Sequence, residues 1–320
     1  MQVVTKTNEL PPGSYGRHLF VAGKWSGDVG RQLDEGSFPM VTFEGSWGDC
    51  SFFERHGASI KWLNIVNAQK TLGGVRFLSN LERLLVGFEP KDLSTVTTLD
   101  NLQVLEIFAK VPALLLSHPS IKRLKLSGAA EFDIQCQNDV LRELFLVRPK
   151  IDSLLELRGL RALENLDIYG AKGLSSLDGI EQFAKLEMLG IEACAHLKDL
   201  DQLASAKSLK KVSVVRSSVS ELPTLADHLS LQLLHIGGHP IQVDWDDLFA
   251  CQSLNHIAVL AARAIDKDVV IAAAAGAGRT IAELTIVGGK HKFVTVILGE
   301  TARGQTARVT ARGQEWGQVL

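Results

Sequence analysis

Aliphatic residues recur along this chain in triplets with the spacing L-x-x-L-x-L. Leu186, Leu189 and Ile191 form one such triplet, and Leu209 starts the next one 23 residues later. An amphipathic helix would repeat its apolar residues every three to four positions, and a half-buried strand would alternate strictly. The observed spacing fits neither pattern. It is typical of a coil that buries its apolar side by stacking on copies of itself.

The same register runs through most of the chain. Its first positions are Ile60, Leu81, Leu102, Ile121, Leu141, Leu163, Leu186, Leu209, Leu231, Leu254 and Ile281. The residues three and five positions after each of these are also Ile, Leu or Val, without exception. Because each coil of such an array packs only on its neighbours, one continuous solenoid can account for a chain of 320 residues.

These triplets resemble the leucine-rich repeat family over residues 59–290. The resemblance implies an α/β fold, a right-handed horseshoe solenoid with one short parallel strand per repeat on its concave side. The intervals of 19 to 23 residues between most first positions are short. They predict extended, 3₁₀ or short helical returns on the convex side, as in internalin-like members. The last interval, of 27 residues, contains strong helix formers in Asp268–Ala275 and predicts a helix there.

The chain departs from the family pattern at the bend after each strand. Eight positions into the repeat, the family usually has Asn or Cys, whose side chain satisfies backbone groups. Only Cys194 fits here, with Ser217 as an alternative. Because the regular side-chain ladder is missing, we expect the backbone at the bends to find other hydrogen-bond partners.

Residues 1–58 show no triplet. They contain two short alternating runs, His18–Ala22 and Met40–Glu44, between Gly and Pro residues, which predicts strands joined by turns. We interpret this region as a β-rich N-terminal cap that covers the open end of the solenoid. The alternative is a separate ligand-binding module that uses Trp25 and Trp47.

Residues 291–320 follow the last triplet. Phe293–Leu298 is densely apolar and predicts either the last strand of the sheet or half of a closing hairpin with Ala307–Thr310. The tail also carries three arginines, which we interpret as solvated charges rather than a basic stripe: Arg303, Arg308 and Arg312.

Composition limits the classes of partner. With 34 basic and 36 acidic residues, the formal charge is -2, which provides no global attraction for nucleic acid or an anionic membrane. No segment reaches the roughly 18 consecutive apolar residues of a membrane span. The four cysteines lie far apart without a C-x-x-C pair, which argues against a disulfide framework or a zinc knuckle. We therefore expect a cytoplasmic protein without a signal peptide, and the short repeats favour a bacterial one.

Candidate catalytic and metal-binding groups are few. The sequence has no G-x-S-x-G, H-E-x-x-H or G-x-x-x-x-G-K-[ST] motif. The best metal candidate combines three histidines with two nearby carboxylates: His235, His239, His256, Asp244 and Asp246. Histidine with carboxylate suits zinc, but His239 is predicted at a bend rather than on a strand. We interpret these as surface histidines and predict neither a metal nor a cofactor.

The residues between the aliphatic positions are predicted to face solvent on the concave side. In the first two thirds of the arc they are rich in aromatic, Met and Arg side chains, the types that dominate protein interfaces. We predict a partner-binding surface formed by Trp62, Arg83, Leu85, Phe88, Phe108, Arg123, Phe145, Arg148, Tyr169 and Met188. The alternative is that the N-terminal region covers these aromatic residues.

The function predicted is therefore non-catalytic binding of another protein, as in an immunity or adaptor protein. One alternative is an enzyme whose acid–base groups come from the N-terminal region: His18, Asp28, Asp49 and His56. Another is an RNA-binding solenoid that uses Arg83, Arg123, Lys125, Arg148, Lys211 and Arg216. Four acidic residues interleaved with these bases would repel phosphate and disfavour the RNA alternative: Glu106, Glu143, Asp167 and Glu192.

Overall fold

The structure is a computed structural model of the chain. It describes residues 3–6, 17–45, 48, 50–66, 71–110, 113–128, 137–261, 265–287, 293–299 and 308–309. Trp47 and Asp49 therefore lie outside the described residues. The chain forms two compact units, residues 1–149 and residues 150–320, and each is considered by itself.

The first unit is a ladder of short strands that follow one another in sequence order. Its strands are β1 (Val3–Lys6), β2 (His18–Ala22), β3 (Met40–Glu44), β4 (Trp62–Ile65), β5 (Arg83–Val86), β6 (Val104–Phe108), β7 (Arg123–Ser127) and β8 (Glu143–Val147). β1 pairs with β2 in antiparallel fashion, and from β2 to β8 every pairing is parallel. The parallel strand of each repeat, predicted from the triplets, is confirmed here.

The parallel ladder begins well before residue 59, where the sequence places the start of the solenoid. β2 and β3 pair in register with β4, so that Leu19 lies beside Val41 and Val41 beside Leu63. All three side chains are 0% exposed. The triplet pattern misses these coils because their first positions are not aliphatic. In the β3 coil the buried Phe38 takes the first position before Val41 and Phe43, and in the sequence of the β2 coil Gly16 precedes Leu19 and Val21.

The returns of the first unit are short. Helix α1 (Gly27–Gly36) joins β2 to β3, where the sequence predicts only turns, and α2 (Ala113–Leu116) follows β6. Three other returns contain 3₁₀ segments: Ser51–Glu54, Gly73–Phe77 and Val96–Thr98. Helix α1 packs closely on the coil after β3, because a Cβ atom at Gly30 would lie 2.9 Å from the ring of His56.

The second unit continues the same pattern and then changes it. Its strands are β9 (Asn165–Tyr169), β10 (Met188–Glu192), β11 (Lys211–Val215), β12 (Leu233–Ile241), β13 (His256–Ala261), β14 (Ile281–Val287), β15 (Phe293–Leu298) and β16 (Arg308–Val309). From β9 to β13 the pairings are parallel. The returns are 3₁₀ segments at Leu154–Leu157, Ile180–Gln182 and Asp201–Ser205, and the helices α3 (Trp245–Ala250) and α4 (Lys267–Gly276).

The end of the sheet differs from the sequence prediction. β15 lies between β13 and β14 and is antiparallel to both. The eleventh triplet, on β14, therefore does not stack beside the tenth. The hairpin partner of β15 is β14 rather than Ala307–Thr310, and β16 pairs with β14 in parallel. The reason is burial, because Val294 and Val296 of β15 are both 0% exposed and occupy the inner positions next to β13.

The bends after the strands are satisfied by the backbone rather than by an asparagine ladder. The residue after each of several strands has a left-handed φ, including Gly170 (69°), Ala193 (57°) and Arg216 (53°). Their N–H groups donate to the next strand, with Gly170 N 2.7 Å from the carbonyl oxygen of Glu192 and Ala193 N 2.9 Å from that of Val215. Cys194 is buried at the predicted ladder position, and burial raises the pKa of its thiol despite hydrogen bonds to backbone.

A second set of side-chain bonds ties the coils together just before the strands. The hydroxyls of Ser120, Ser208 and Ser253 each donate to a backbone carbonyl one repeat earlier, at 2.8 Å from Leu102, 2.8 Å from Leu186 and 2.9 Å from Leu231. Asn101 donates in the same way to Ser79. These polar residues therefore satisfy backbone carbonyl groups at the amino ends of the strands. In the family pattern, Asn or Cys side chains satisfy backbone groups at the bend after the strand.

Candidate functional site

One face of the sheet in each unit packs on the core, and the other faces solvent. In β6, Ile107 is 2% exposed and its neighbour Phe108 is 38% exposed, as expected for side chains that alternate along a strand. We call the solvent side the exposed sheet face. In the first unit it includes Trp62, Asn64, Arg83, Leu85, Glu106, Phe108, Arg123, Lys125, Glu143 and Phe145, and in the second it includes Tyr169, Met188 and Glu192.

A chain of hydrogen bonds crosses the exposed sheet face of the first unit at β2, β3 and β4. Nε2 of His18 lies 2.9 Å from the Thr42 hydroxyl, and the Asn64 amide donates to the same hydroxyl at 3.0 Å. The indole N–H of Trp62 donates to Oδ1 of Asn64 at 2.8 Å. Burial lowers the pKa of His18. This series of hydrogen bonds fixes the orientation of the Trp62 ring.

Arg83 lies on this ring. Its Cζ is 4.4 Å from the centroid of Trp62, within the range of a cation–π contact. Arg83 is the residue beside Trp62 in the ladder, since the two are paired in register on β4 and β5. Two of the predicted binding residues are thus brought into direct contact.

The central charges of the exposed sheet face in the first unit are paired with one another. Nε of Arg123 lies 3.3 Å from a carboxylate oxygen of Glu143, and Nζ of Lys125 lies 3.7 Å from one of Glu106. Nζ of Lys125 also lies 5.0 Å from the centroid of the Phe145 ring. Both carboxylates belong to strands adjacent to the strand of their base, so the ladder itself produces the pairing.

The remaining predicted residues of the first unit differ in exposure. Phe108 is exposed beside Ser127, whereas Leu85 and Phe145 are half-buried. Phe88 is half-buried two residues beyond β5, and Arg148 is exposed immediately after β8 with a left-handed φ of 56°. Exposed side chains thus lie at both ends of the strands, since Arg123 at the start of β7 is exposed as well.

In the second unit the structure brings Tyr169 together with a residue from outside the predicted binding set. Cζ of Arg216 lies 5.8 Å from the centroid of the Tyr169 ring, and its guanidinium donates to the Glu192 carboxylate. Tyr169 is 36% exposed and Met188 is 40% exposed. Arg216 was predicted only for the RNA alternative. Its left-handed position after β11 turns it back over the face, which the spacing of the triplets does not reveal.

The metal candidate is only partly assembled. His235 and His256 project from the adjacent strands β12 and β13, and burial and the charge of His256 lower the pKa of His235. Nδ1 of His235 lies 3.3 Å from the hydroxyl of Ser213. Asp244 accepts a hydrogen bond from the backbone N–H of Asp247 and caps α3. Among the described residues no group of three or more His, Cys, Asp or Glu side chains could hold a metal ion.

The acid–base groups of the enzyme alternative are separated among different contacts. His56 pairs with Asp34 at 2.7 Å rather than with Asp28, which instead pairs with Arg31 at 2.7 Å. The side chains of His56 and Asp34 are 27% and 49% exposed, so this pair is open to solvent. Of the two tryptophans of the ligand-binding alternative, Trp25 stacks on Phe52 with a centroid separation of 3.7 Å, and Trp47 lies outside the described residues.

The sequence analysis missed the hydrogen-bond chain from His18 to Trp62. Its signal is present in the register, because His18, Thr42 and Asn64 occupy outward positions of successive strands once β2 and β3 are aligned with β4. That alignment depends on recognising Phe38 as a repeat position.

Comparison with known proteins agrees with this architecture. No protein-family model matches the sequence, and no curated protein sequence matches it. A leucine-rich repeat protein of Leptospira interrogans is similar in structure, with a TM-score of 0.53 and 20% sequence identity over 64% of this chain and 55% of that one. The match therefore spans about half the length of the Leptospira protein. Internalin C2 from Listeria monocytogenes is similar with a TM-score of 0.47 and 22% identity, over 58% of this chain and 82% of that one.

The parallel ladder, the short returns and the Leptospira similarity together show a leucine-rich repeat fold. Among the described residues, no helix combines the length and apolar character needed to cross a membrane.

Proposed function

We propose that this chain is a non-catalytic interaction module that binds a partner protein through its exposed sheet face. The observation that carries the proposal is the combination of paired charges with open aromatic surface. In the first unit Arg123 and Lys125 have carboxylate neighbours, while Phe108 presents a ring that is 38% exposed.

The chemistry of this face matches the core of protein interfaces. Aromatic residues, Met and Arg are enriched there, and truncation of a few such residues removes most of the binding energy. Tyr169 and Met188 give the second unit the same character, at 36% and 40% exposure. Trp62 is held in place by Asn64 and covered by Arg83, so its orientation is set before a partner arrives. Side chains ordered in advance lose less entropy on binding.

The same pairing disfavours RNA as the partner. Phosphate binding requires basic side chains whose charge is not already neutralised, because affinity arises from the counterions that they displace. Arg123, Lys125 and Arg216 each contact a carboxylate from a neighbouring strand. The proposal therefore takes protein rather than nucleic acid as the ligand.

We extend the proposal to a cytoplasmic bacterial protein with an immunity or adaptor role. Cys194 and Cys251 are buried free thiols, which suits a reducing compartment. The fold similarity to a Leptospira protein agrees with a bacterial origin. Fractionation of host cells tests the location, and recovery of the chain outside the cytoplasm would contradict it.

The binding proposal is tested by affinity capture from the native host with the wild-type chain and with Phe108→Ala, Phe145→Ala and Tyr169→Ala combined. A matched control removes three exposed apolar side chains outside the strands: Leu114→Ala, Leu155→Ala and Leu229→Ala. We expect a partner that is retained by the wild type and the control and lost by the first variant. Equal retention by both variants would show that binding takes place elsewhere.

A further inference from the structure

The second unit contains a cleft on the side of the returns, away from the exposed sheet face. Its volume is about 770 Å³, within the range of about 300–1,000 Å³ that is usual for ligand pockets. Three successive returns line it: the loop at Glu221 and Leu222 after β11, the start of α3 after β12, and one side of α4 after β13. Because neighbouring coils stack about 4.8 Å apart, the cleft is roughly 10 Å across in that direction.

The floor of the cleft is apolar, and part of it is open to solvent. Trp245 and Leu248 of α3 and Ala273 of α4 are buried. Val269, on the same side of α4, is 55% exposed, and Ala272, one turn further along the helix, is exposed as well. Covering these two side chains removes apolar surface from water, which favours an occupant with apolar side chains of its own.

The rim of the cleft is acidic. Four carboxylates line it, with no Lys or Arg among the described lining residues: Glu221, Asp244, Asp246 and Asp247. Lys267, at the start of α4, stands in sequence between Asp266 and Asp268, so this turn adds no net positive charge. A cleft lined by one sign of charge concentrates ligands of the opposite sign, and the rim therefore favours a cationic occupant.

The fold uses only part of this negative charge. Asp244 accepts a hydrogen bond from the backbone N–H of Asp247 and caps α3. The side chains of Glu221 and Asp246 have neither an ion pair nor a hydrogen bond within the described part of the chain. Burial, and then the charge of Asp244, raise the pKa of Asp247. Two carboxylates on different returns are thus available to a ligand.

The spread of the carboxylates distinguishes between kinds of cation. Glu221 lies on the return before the one that carries Asp246. Among the described residues, no three His, Cys, Asp or Glu side chains are placed to hold one metal ion. A peptide segment with several Lys or Arg side chains can reach both returns at once, while its apolar side chains cover the floor.

We propose that this cleft is a second docking site, which binds a short amphipathic basic segment of another protein. The apolar side chains of the segment lie on Val269 and Ala272, and its cations pair with Glu221 and Asp246. Two turns of helix are about 11 Å long, which matches the width of the cleft. Such a segment binds as an amphipathic helix in a groove, independently of the exposed sheet face and its partner.

Fluorescence anisotropy of the full chain with a synthetic peptide tests the proposal. The probe is the fluorescein-labelled amphipathic peptide LKKLLKLLKKLLKL, and the comparison peptide has Glu in place of every Lys. Both are titrated at about 150 mM salt, which is of order the physiological strength. We expect the wild type to bind the basic peptide at least about tenfold more tightly than the acidic one, because like charges repel at the rim.

Variants of the cleft should change this binding in three ways. Glu221→Gln combined with Asp246→Asn removes the two available carboxylates and should weaken binding of the basic peptide roughly fivefold. Val269→Ser removes apolar surface from the floor and should weaken it roughly threefold. Glu221→Lys combined with Asp246→Lys should reverse the preference, so that the acidic peptide binds more tightly than the basic one.

Controls separate the cleft from the rest of the surface. Glu181→Gln combined with Asp199→Asn makes the same charge change at exposed positions outside the cleft. Leu229→Ser removes an apolar side chain that is 87% exposed elsewhere. Both variants should bind the basic peptide like the wild type, and so should the triple alanine variant of the exposed sheet face. Circular dichroism confirms that every variant is folded.

Three results would overturn the proposal. The first is equal binding of the two peptides by the wild type. The second is binding of the basic peptide that is unchanged in the neutralising and charge-reversed variants of the cleft. The third is loss of binding in the triple variant of the exposed sheet face, which would place the peptide on that face instead.

Discussion

His228 joins two neighbouring coils of the second unit through its ring. Its Nε2 lies 2.9 Å from the carbonyl oxygen of Ala206, 22 residues earlier, and its Nδ1 accepts the backbone N–H of Leu231 at 3.2 Å. In the first unit His118 does the same with the carbonyl of Val96 at 3.2 Å and the N–H of Ser120 at 3.3 Å. Because one ring nitrogen must accept, both rings fit only as neutral imidazoles.

The stability of the fold should therefore decrease in mild acid. Burial is the main cause that lowers the pKa of His118 and of His228 below the ordinary value of 6.5. The unfolded chain then binds more protons, so the stabilisation is complete above pH 6.5 and is lost as the pH falls through the lowered values. We expect the melting temperature to decrease when the pH is lowered from 7.5 to 5.5. His118→Gln combined with His228→Gln should flatten this dependence, whereas His196→Gln, at an exposed position, should not.

Two residues at the same place in adjacent coils should respond oppositely to substitution. Ala193 and Gly170 follow their strands with φ of 57° and 69°. A left-handed conformation costs a residue with a Cβ about 1–2 kcal/mol, part of which glycine loses again in backbone entropy. We expect Ala193→Gly to stabilise the protein by about 0.5–1 kcal/mol and Gly170→Ala to destabilise it by about 1 kcal/mol. Urea unfolding measures both, and destabilisation by Ala193→Gly would contradict the account of the bends.

Two phenylalanines of the first unit test where the core begins. Phe43 of β3 is 1% exposed, whereas Phe108 is 38% exposed. If β3 is part of the solenoid core, Phe43→Ala should cost about 3–5 kcal/mol of the free energy of unfolding. Phe108→Ala should cost no more than about 0.5 kcal/mol. Similar small losses for both would mean that residues before 59 are only loosely attached.

The charge pairs on the exposed sheet face provide a test against nucleic acid. Glu106→Gln combined with Glu143→Gln removes the carboxylates that contact Lys125 and Arg123. Fluorescence anisotropy with a labelled single-stranded RNA at 150 mM salt, of order the physiological strength, measures the effect. We expect weak binding by the wild type and binding several-fold tighter by the variant. Tight, salt-dependent binding by the wild type would favour the RNA alternative.

The strand register was predictable because each triplet is made of aliphatic residues alone. Leu189 and Val212 are in register in β10 and β11, as their places in the repeat require. The coils of β2 and β3 were not predictable by the same rule, since Gly16 and Phe38 replace the aliphatic residue at their first positions. At the other end, β14 carries a complete triplet but is displaced by β15, a strand whose antiparallel pairing no local pattern specifies.

The candidate site was predictable only as a set of outward positions. Alternation places Arg123 and Glu143 on one face, but their contact depends on the register of β7 against β8. The contact of Arg216 with Tyr169 was not predictable, because its left-handed backbone, rather than its place in the triplet, brings it there. Exposure could not be read from spacing either, because Phe145 and Phe108 occupy equivalent faces and only Phe108 is open.

The central claim is that a partner protein covers the exposed sheet face, and hydroxyl-radical footprinting of the complex tests it most directly. The oxidation rates of Phe108, Tyr169 and Met188 are compared with those of Leu155 and Leu229, which are 42% and 87% exposed outside the strands. We predict at least about fivefold slower oxidation of the first three side chains when the partner is bound, because solvent is excluded from an interface core. Unchanged oxidation of these three, with protection of Leu155 or Leu229 instead, would contradict the account.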